Sequence, residues 1–189
     1  MDLILASASP RRRELLGLLK LPFTVRSADI DETMDPGNSP REEVEKVSRR
    51  KALAIQRQPG QVVIGADTIV VCENRILGKP KDPQQAREML QLLSGRDHQV
   101  RTGCTIACDQ EIRTFSEVTD LHFRPLGQKE IRAYVESGEP MDKAGSYAIQ
   151  GGAALFCEKL QGDYFNVVGL PVCRLWETLC ELFPEWMEV

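Results

Sequence analysis

Val62-Val63-Ile64-Gly65-Ala66-Asp67-Thr68-Ile69-Val70-Val71 sets a carboxylate inside a run that is otherwise apolar. Val62–Ile64 reads as a short buried strand that ends at Gly65-Ala66-Asp67-Thr68 and resumes over Ile69–Val71. A turn at Glu73-Asn74 then returns the chain through Arg75–Leu77. Just upstream, Ser39-Pro40-Arg41-Glu42 is a capping box with proline at the first helical position, which predicts a helix to about Arg57. Towards the N-terminus, Leu3–Ala6 reads as a buried strand. Ser9 is an N-cap before Pro10, opening a helix over Arg11–Leu19, and Phe23–Ser27 is a second strand. Downstream come a helix over Gln84–Leu93, strands over Gln99–Ala107 and Ile112–Phe123, and a helix over Lys129–Ser137. A glycine-rich stretch from Gly145 to Gly152 precedes a strand over Ala153–Glu158, and Pro171 opens a last helix that stops before Pro184. Strand-length apolar runs alternating with amphipathic stretches predict a mixed α/β fold, expected as a single domain over residues 1–189.

Composition narrows the function classes. With 24 Lys+Arg against 28 Asp+Glu the 189-residue chain has a net charge of −4, which argues against a nonspecific nucleic-acid binder. A hydrophobic share of 42% with 28% charged residues is that of a globular protein, not a disordered or fibrous one. No apolar run approaches the roughly 20 residues that span a bilayer. Met1-Asp2-Leu3-Ile4-Leu5-Ala6 lacks a basic region and turns polar early for a signal peptide, so a cytoplasmic protein is expected. The six cysteines include no C-x-x-C pair and the two histidines no zinc spacing, so buried free thiols are expected instead of a metal centre or disulfide framework.

Polar residues in unusual places carry the functional reading. Arg11, Arg12 and Arg13 occupy the first turn of a helix, against the positive end of its dipole. An anion at the helix N-terminus, gripped by amides and guanidinium forks with Ser7 adding a hydroxyl, accounts for them; so do arginines turned outward or paired with Glu14. Asp67, at the expected end of a buried strand, can bind a divalent cation or take a proton from water, or else cap a turn. Glu32 lies in the acidic loop Asp29-Ile30-Asp31-Glu32-Thr33, which by itself also reads as a solvated loop. Lys51 lies near the apolar seam of its helix, and Lys79 follows Leu77-Gly78 ahead of Pro80. Taken together, these cations and carboxylates suit a metal-bridged polyphosphate. Neither a Walker loop nor a Rossmann fingerprint is present to supply a phosphate site, and no G-x-S-x-G elbow occurs.

The same residues fall in ordered blocks: Leu5-Ala6-Ser7-Ala8-Ser9-Pro10-Arg11-Arg12, Asp31-Glu32-Thr33, Lys51-Ala52, Gly65-Ala66-Asp67-Thr68, Leu77-Gly78-Lys79-Pro80, Ser94-Gly95-Arg96, Ser137-Gly138-Glu139-Pro140, Asp142-Lys143-Ala144-Gly145, Gly162-Asp163-Tyr164 and Asn166-Val167-Val168-Gly169-Leu170-Pro171. This order, from residue 5 to about 171, resembles the Maf family of nucleoside triphosphate pyrophosphatases. The resemblance implies a mixed α/β fold of two lobes around a central twisted sheet with a deep nucleotide-binding cleft, similar to inosine triphosphate pyrophosphatases. It implies hydrolysis between the α- and β-phosphates, a divalent cation (Mg²⁺ or Mn²⁺), a house-cleaning role against non-standard nucleotides and a link to arrest of cell division.

Ala144-Gly145-Ser146-Tyr147-Ala148-Ile149-Gln150-Gly151 looks like the branch acting on dTTP and UTP, since the 7-methyl-GTP branch has no Ile-Gln-Gly there and a serine in place of Ala66. Met34 and Val47-Ser48 depart from the family's usual sequence at positions away from the implied contacts. Carried over by motif, Asp67 is implied as proton acceptor, and Arg11, Thr68 and Gln150 as specificity positions. Ser7, Arg12, Lys51 and Lys79 are implied as phosphate ligands, and Glu32 with Asp67 as metal ligands. Expected partners are a nucleoside triphosphate and a second copy in a homodimer, with neither nucleic acid nor membrane. CTP or modified nucleotides as substrates, and a nucleotide-binding regulator of septum formation, are the competing readings.

Overall fold

The computed structural model describes residues 2–27, 29–35 and 37–188. Its strands are β1 (Asp2–Leu5), β2 (Phe23–Val25), β3 (Gln61–Cys72), β4 (Arg75–Leu77), β5 (Asp97–Ala107), β6 (Ile112–Phe123) and β7 (Cys157–Gln161). The helices are α1 (Pro10–Gly17), α2 (Pro40–Leu53), α3 (Pro83–Leu93), α4 (Gln128–Glu136), α5 (Tyr164–Val168) and α6 (Val172–Leu182). The strands make one mixed sheet in the order β2-β1-β3-β5-β6-β7, with β4 paired to β3. β1 runs parallel to β2 and to β3, whereas β3–β4 and β6–β7 are antiparallel. The mixed α/β expectation therefore holds.

The chain divides into two units. The first comprises Met1–Asp67, Thr102–Glu117 and Gly169–Val189; the second comprises Thr68–Arg101 and Val118–Val168. In the first, Ile4, Ala6, Ala52, Ile55, Val63 and Ala107 form an apolar cluster between the sheet and α2. Here α2 lies unusually close to the strands. A Cβ on Gly65 of β3 would sit 2.5 Å from the Ser48 carbonyl oxygen and 2.6 Å from the Ala52 nitrogen, and one on Gly103 of β5 would overlap the Val44 carbonyl. Glycine at both crossings lets backbone meet backbone, with no side chain holding the helix off. Polar ties fix the same contact: Ser48 Oγ and Thr105 Oγ1 share a buried hydrogen bond at 2.9 Å, and Ser116 Oγ donates to Glu45 Oε1 at 2.7 Å.

The second unit packs α3 and α4 around Val70, Leu90, Leu93, Leu121, Phe123, Ile131 and Phe156. Its one buried histidine among the described residues, His98, shares a 3.0 Å hydrogen bond through Nε2 with Tyr147 Oη and meets Phe123 edge-on with ring centroids 4.7 Å apart.

Three elements differ from the sequence reading. β3 does not stop at Gly65-Ala66-Asp67-Thr68 but runs unbroken to Cys72, because no left-handed residue interrupts it and Asp67 finds a cationic partner inside the fold. The strand expected over Ala153–Glu158 is a 3-10 turn at Gly152–Leu155 followed by β7, since Phe156 N–H closes onto Ala153 O at 3.0 Å; a short apolar run does not distinguish these by periodicity. α2 ends at Leu53 instead of near Arg57, with Ala54 as its C-cap, because the chain must turn back through Pro59-Gly60 to enter β3. The five-residue α5, unforeseen, is too short to show a helical period.

Two measurable consequences follow from this packing. Gly65→Ala should cost roughly 1–3 kcal/mol of stability, read as a shifted urea midpoint with an unchanged slope, since the added methyl meets helix backbone that cannot rotate away. Burial pushes His98 down to about 4 from its ordinary 6.5, so above pH 6.5 it is neutral whether folded or unfolded. Between pH 6.5 and about 4 only the unfolded chain binds the proton, and stability falls as pH falls, by up to about 3 kcal/mol; below that the dependence levels off. Unfolding of wild type and His98→Gln compared across pH 4–7 should show this slope in the wild type and its loss in the variant.

Candidate functional site

In the first unit, β1 ends at Leu5 and Ser7 follows, buried, ahead of α1. Ser9 caps α1, accepting from the Arg12 amide at 3.5 Å, and the Ser9 amide donates to Ser7 Oγ at 3.2 Å. Arg12 does not point outward: its Nε donates to the Gly169 carbonyl at 2.8 Å and its Nη1 to Ser7 Oγ at 3.4 Å. Burial lowers its pKa from the ordinary value. Asp67 is the foremost group opposing that shift, with Cys104 and Glu32 acting the same way and Arg11 adding to the lowering.

Asp67 stands in the middle of β3, only 6% exposed. The close crossing of α2 at Gly65 lies between Ser48 and Ala52, and so delivers Lys51, one residue before Ala52, to this carboxylate. Lys51 Nζ lies 2.7 Å from Asp67 Oδ1 and 2.9 Å from Glu32 Oε1. One ammonium thus holds a buried carboxylate and a loop carboxylate together. Arg11 lies on the same first turn of α1, half-buried. Arg12 with Ser7, and Lys51 with Asp67 and Glu32, are thus two linked sets, with Arg12 in the field of Asp67 and Glu32; Asp67 lies mid-strand and not at a strand end.

Thr68, Lys79 and Gln150 belong to the second unit. Thr68 follows Asp67 along β3, half-buried. Lys79 is exposed in the Gly78-Lys79-Pro80 turn between β4 and α3, and the Gly78 carbonyl accepts from the Gly145 amide at 3.0 Å. That bond ties the Lys79 turn to the segment leading to Gln150. Gln150 is itself exposed in a turn closed by Gly151 N–H donating to Ala148 O at 3.0 Å.

Sequence reasoning gave no role to the Gly169 carbonyl, which holds Arg12, nor to Gly65 as the contact that brings Lys51 to Asp67. Gly65's position two residues before the carboxylate, on a strand facing a helix, was the available signal. All six cysteines are free; Cys72, Cys104 and Cys108 are buried as expected, whereas Cys157 and Cys180 are half-buried and Cys173 is exposed. Burial pushes Cys104, which lies in the field of Arg12, up to about 12, so it stays a protonated thiol at neutral pH. No helix among the described residues is long and apolar enough to cross a membrane.

A family described as Maf-like protein matches residues 2–182. A dTTP/UTP pyrophosphatase of Bacillus pumilus is 51% identical over 174 residues, covering 92% of each chain. One from Symbiobacterium thermophilum is 49% identical over 181 residues, covering 95% of this chain and 93% of its own. Among solved structures, the Ham1 protein of Staphylococcus aureus superposes with a TM-score of 0.51 at 14% identity, covering 96% of this chain and 98% of that one, a likeness of fold.

The polar group predicts an asymmetry. Lys51→Met should destabilise the protein by roughly 3 kcal/mol, because it strands the buried Asp67 carboxylate. Glu32→Gln, at a half-exposed position, should change stability by less than about 1 kcal/mol. Chemical denaturation of the two variants against wild type measures the difference.

Proposed function

As the chain belongs to the Maf-like protein family, we propose that it hydrolyses the α–β phosphoanhydride of dTTP and UTP, consuming one water to give the nucleoside monophosphate, pyrophosphate and a proton. The observation that carries this reading is the Lys51 ammonium held between Asp67 and Glu32, with the half-buried Arg12 guanidinium in the field of both carboxylates. Relatives named dTTP/UTP pyrophosphatase, about half identical over more than nine-tenths of the chain, support the substrate class. A small enzyme cutting a phosphoanhydride needs little covalent chemistry; it needs positioned cations and a base that orients water.

In this mechanism Asp67 accepts the proton of the attacking water. Its burial keeps that carboxylate from bulk solvent, and its Oδ1 bond to Lys51 fixes its orientation. Arg12 and Lys51 neutralise phosphate oxygens, Ser7 donates its hydroxyl, and Lys79 adds a further cation. Arg11, Thr68 and Gln150 select the substrate. The Gln150 amide can accept from the N3–H of uracil or thymine and donate to a ring carbonyl.

A divalent cation, Mg²⁺ or Mn²⁺, fits Glu32 and Asp67: both are hard oxygen donors, and both already converge on one ammonium. Among the described residues no group of three or more His, Cys, Asp or Glu side chains is arranged to hold a metal ion; in this proposal the two carboxylates would hold it together with substrate oxygens. When bound it would neutralise charge on the phosphates. We assign the enzyme to the cytoplasm, where its nucleotides are, with disposal of non-standard pyrimidine nucleotides as its role. Exposed Leu155, Tyr164 and Phe165 support a homodimer.

The test is turnover of dTTP, UTP, CTP, GTP, ATP and 7-methyl-GTP with Mg²⁺ or Mn²⁺, products resolved by chromatography. Monophosphate and pyrophosphate should appear from dTTP and UTP, and Asp67→Asn should lower kcat/KM by about 10²–10⁴-fold while remaining folded. Orthophosphate with a nucleoside diphosphate would overturn the assignment of the bond. Tight nucleotide binding without turnover would replace the enzyme by a regulator.

A further inference from the structure

Gln150 can discriminate between bases only if its amide is presented in one place, yet it sits exposed in a turn that ends in two glycines, Ala148-Ile149-Gln150-Gly151-Gly152. The ends of that turn are not loose. α4 finishes at Glu136, and Gly138, at φ +78°, reverses the chain into a single 3-10 turn over Glu139–Asp142. The reversal carries the Glu139 carboxylate back against the turn. Its Oε1 and Oε2 both accept from the Gly152 amide, at 3.1 and 3.2 Å, and Oε1 also accepts from Tyr134 Oη at 2.8 Å. Tyr134 Oη in turn accepts from the Ala148 amide at 3.1 Å.

One carboxylate and one phenol thus hold the first and last amides of the segment that carries Gln150. The two are themselves fixed. Tyr134 is buried and packs edge-on against Phe156 with centroids 5.1 Å apart, and Lys143 Nζ donates to the Glu139 carbonyl at 3.0 Å. The approach is so close that a Cβ on Gly151 would overlap the Glu139 carboxylate.

We propose that Glu139 and Tyr134 are positioning residues for base selection: they clamp residues 148–152 so that Gln150 meets the nucleobase in a single geometry. The inference rests on the reading of Gln150 as a specificity residue. Carboxylate-to-amide bonds are charge-assisted, and a binding group supported by such bonds discriminates better than one on a free loop. Neither residue is among those proposed to move the proton or hold phosphate. Their loss therefore falls on substrate binding and base choice, and leaves the chemical step largely intact.

The experiment compares Tyr134→Phe, Glu139→Gln, Glu139→Ala and Gln150→Ala with wild type, in steady-state kinetics on dTTP, UTP and CTP and in amide hydrogen exchange of residues 148 and 152. Tyr134→Phe and Glu139→Ala should raise KM for dTTP and UTP about tenfold and lower the preference for dTTP over CTP by about tenfold. Under saturating substrate kcat should stay within about threefold, and exchange at Ala148 and Gly152 should accelerate about tenfold or more. Glu139→Gln, which keeps one acceptor, should fall between wild type and Glu139→Ala. Wild-type selectivity and exchange in folded Tyr134→Phe and Glu139→Ala, while Gln150→Ala loses base preference, would overturn the clamp alone. Unchanged base preference in Gln150→Ala would overturn the reading of Gln150 and this inference with it.

Discussion

The candidate site depends on a contact between two backbones. Where α2 crosses β3 and β5, Gly65 and Gly103 present no side chain, and the helix settles onto the strands until its peptide groups meet theirs. Any Cβ at these crossings would push the helix outward. Lys51 would then withdraw from Asp67, and a 2.7 Å ion pair inside a low-dielectric interior would be broken. Precision at a buried charge here comes from an absence of atoms at two neighbouring places. Side-chain packing alone tolerates shifts that such a pair cannot, because the worth of the attraction depends steeply on separation and on desolvation.

Around that contact the electrostatics are deliberately unbalanced. Arg12 is half-buried, and its desolvation lowers its pKa, with Asp67 the principal group compensating it. Lys51 serves two carboxylates at once, one buried and one half-exposed. A protein that needed only stability would be better served by apolar residues of the same size. Cations gathered at a helix start, where the dipole disfavours them, make sense if a polyphosphate completes the balance.

Much of this was legible in the residues. The capping box at Ser39 and the Ser9-Pro10 start locate α2 and α1 because capping is local chemistry, settled within four residues. The polar residues now grouped around Lys51 stood out because each breaks a local rule: arginines against a dipole, an aspartate in an apolar strand. What escaped was decided at a distance. β3 continues past Asp67 because a lysine from α2 partners the carboxylate, and within β3 only Gly65 hints at that approach. The segment before β7 folds as a 3-10 turn because Gly152 bonds to Glu139, thirteen residues back. Tyr134 looked like one more apolar residue on a helix face, since its hydroxyl's role exists only once residues 148–152 arrive.

The thiol of Cys104 has a further meaning for how this protein meets oxidants. It is fully buried in the field of Arg12, and burial holds it near a pKa of about 12. At neutral pH it is held as the protonated thiol, and not as the thiolate that peroxides and electrophiles attack. The sulfur closest in charge to the proposed phosphate ligands is therefore chemically silent in the folded state. Cys173, exposed on α6, is open to reagents. Oxidative wear would begin on that helix while the buried sulfur, and the arginine beside it, stayed intact until the fold itself opened.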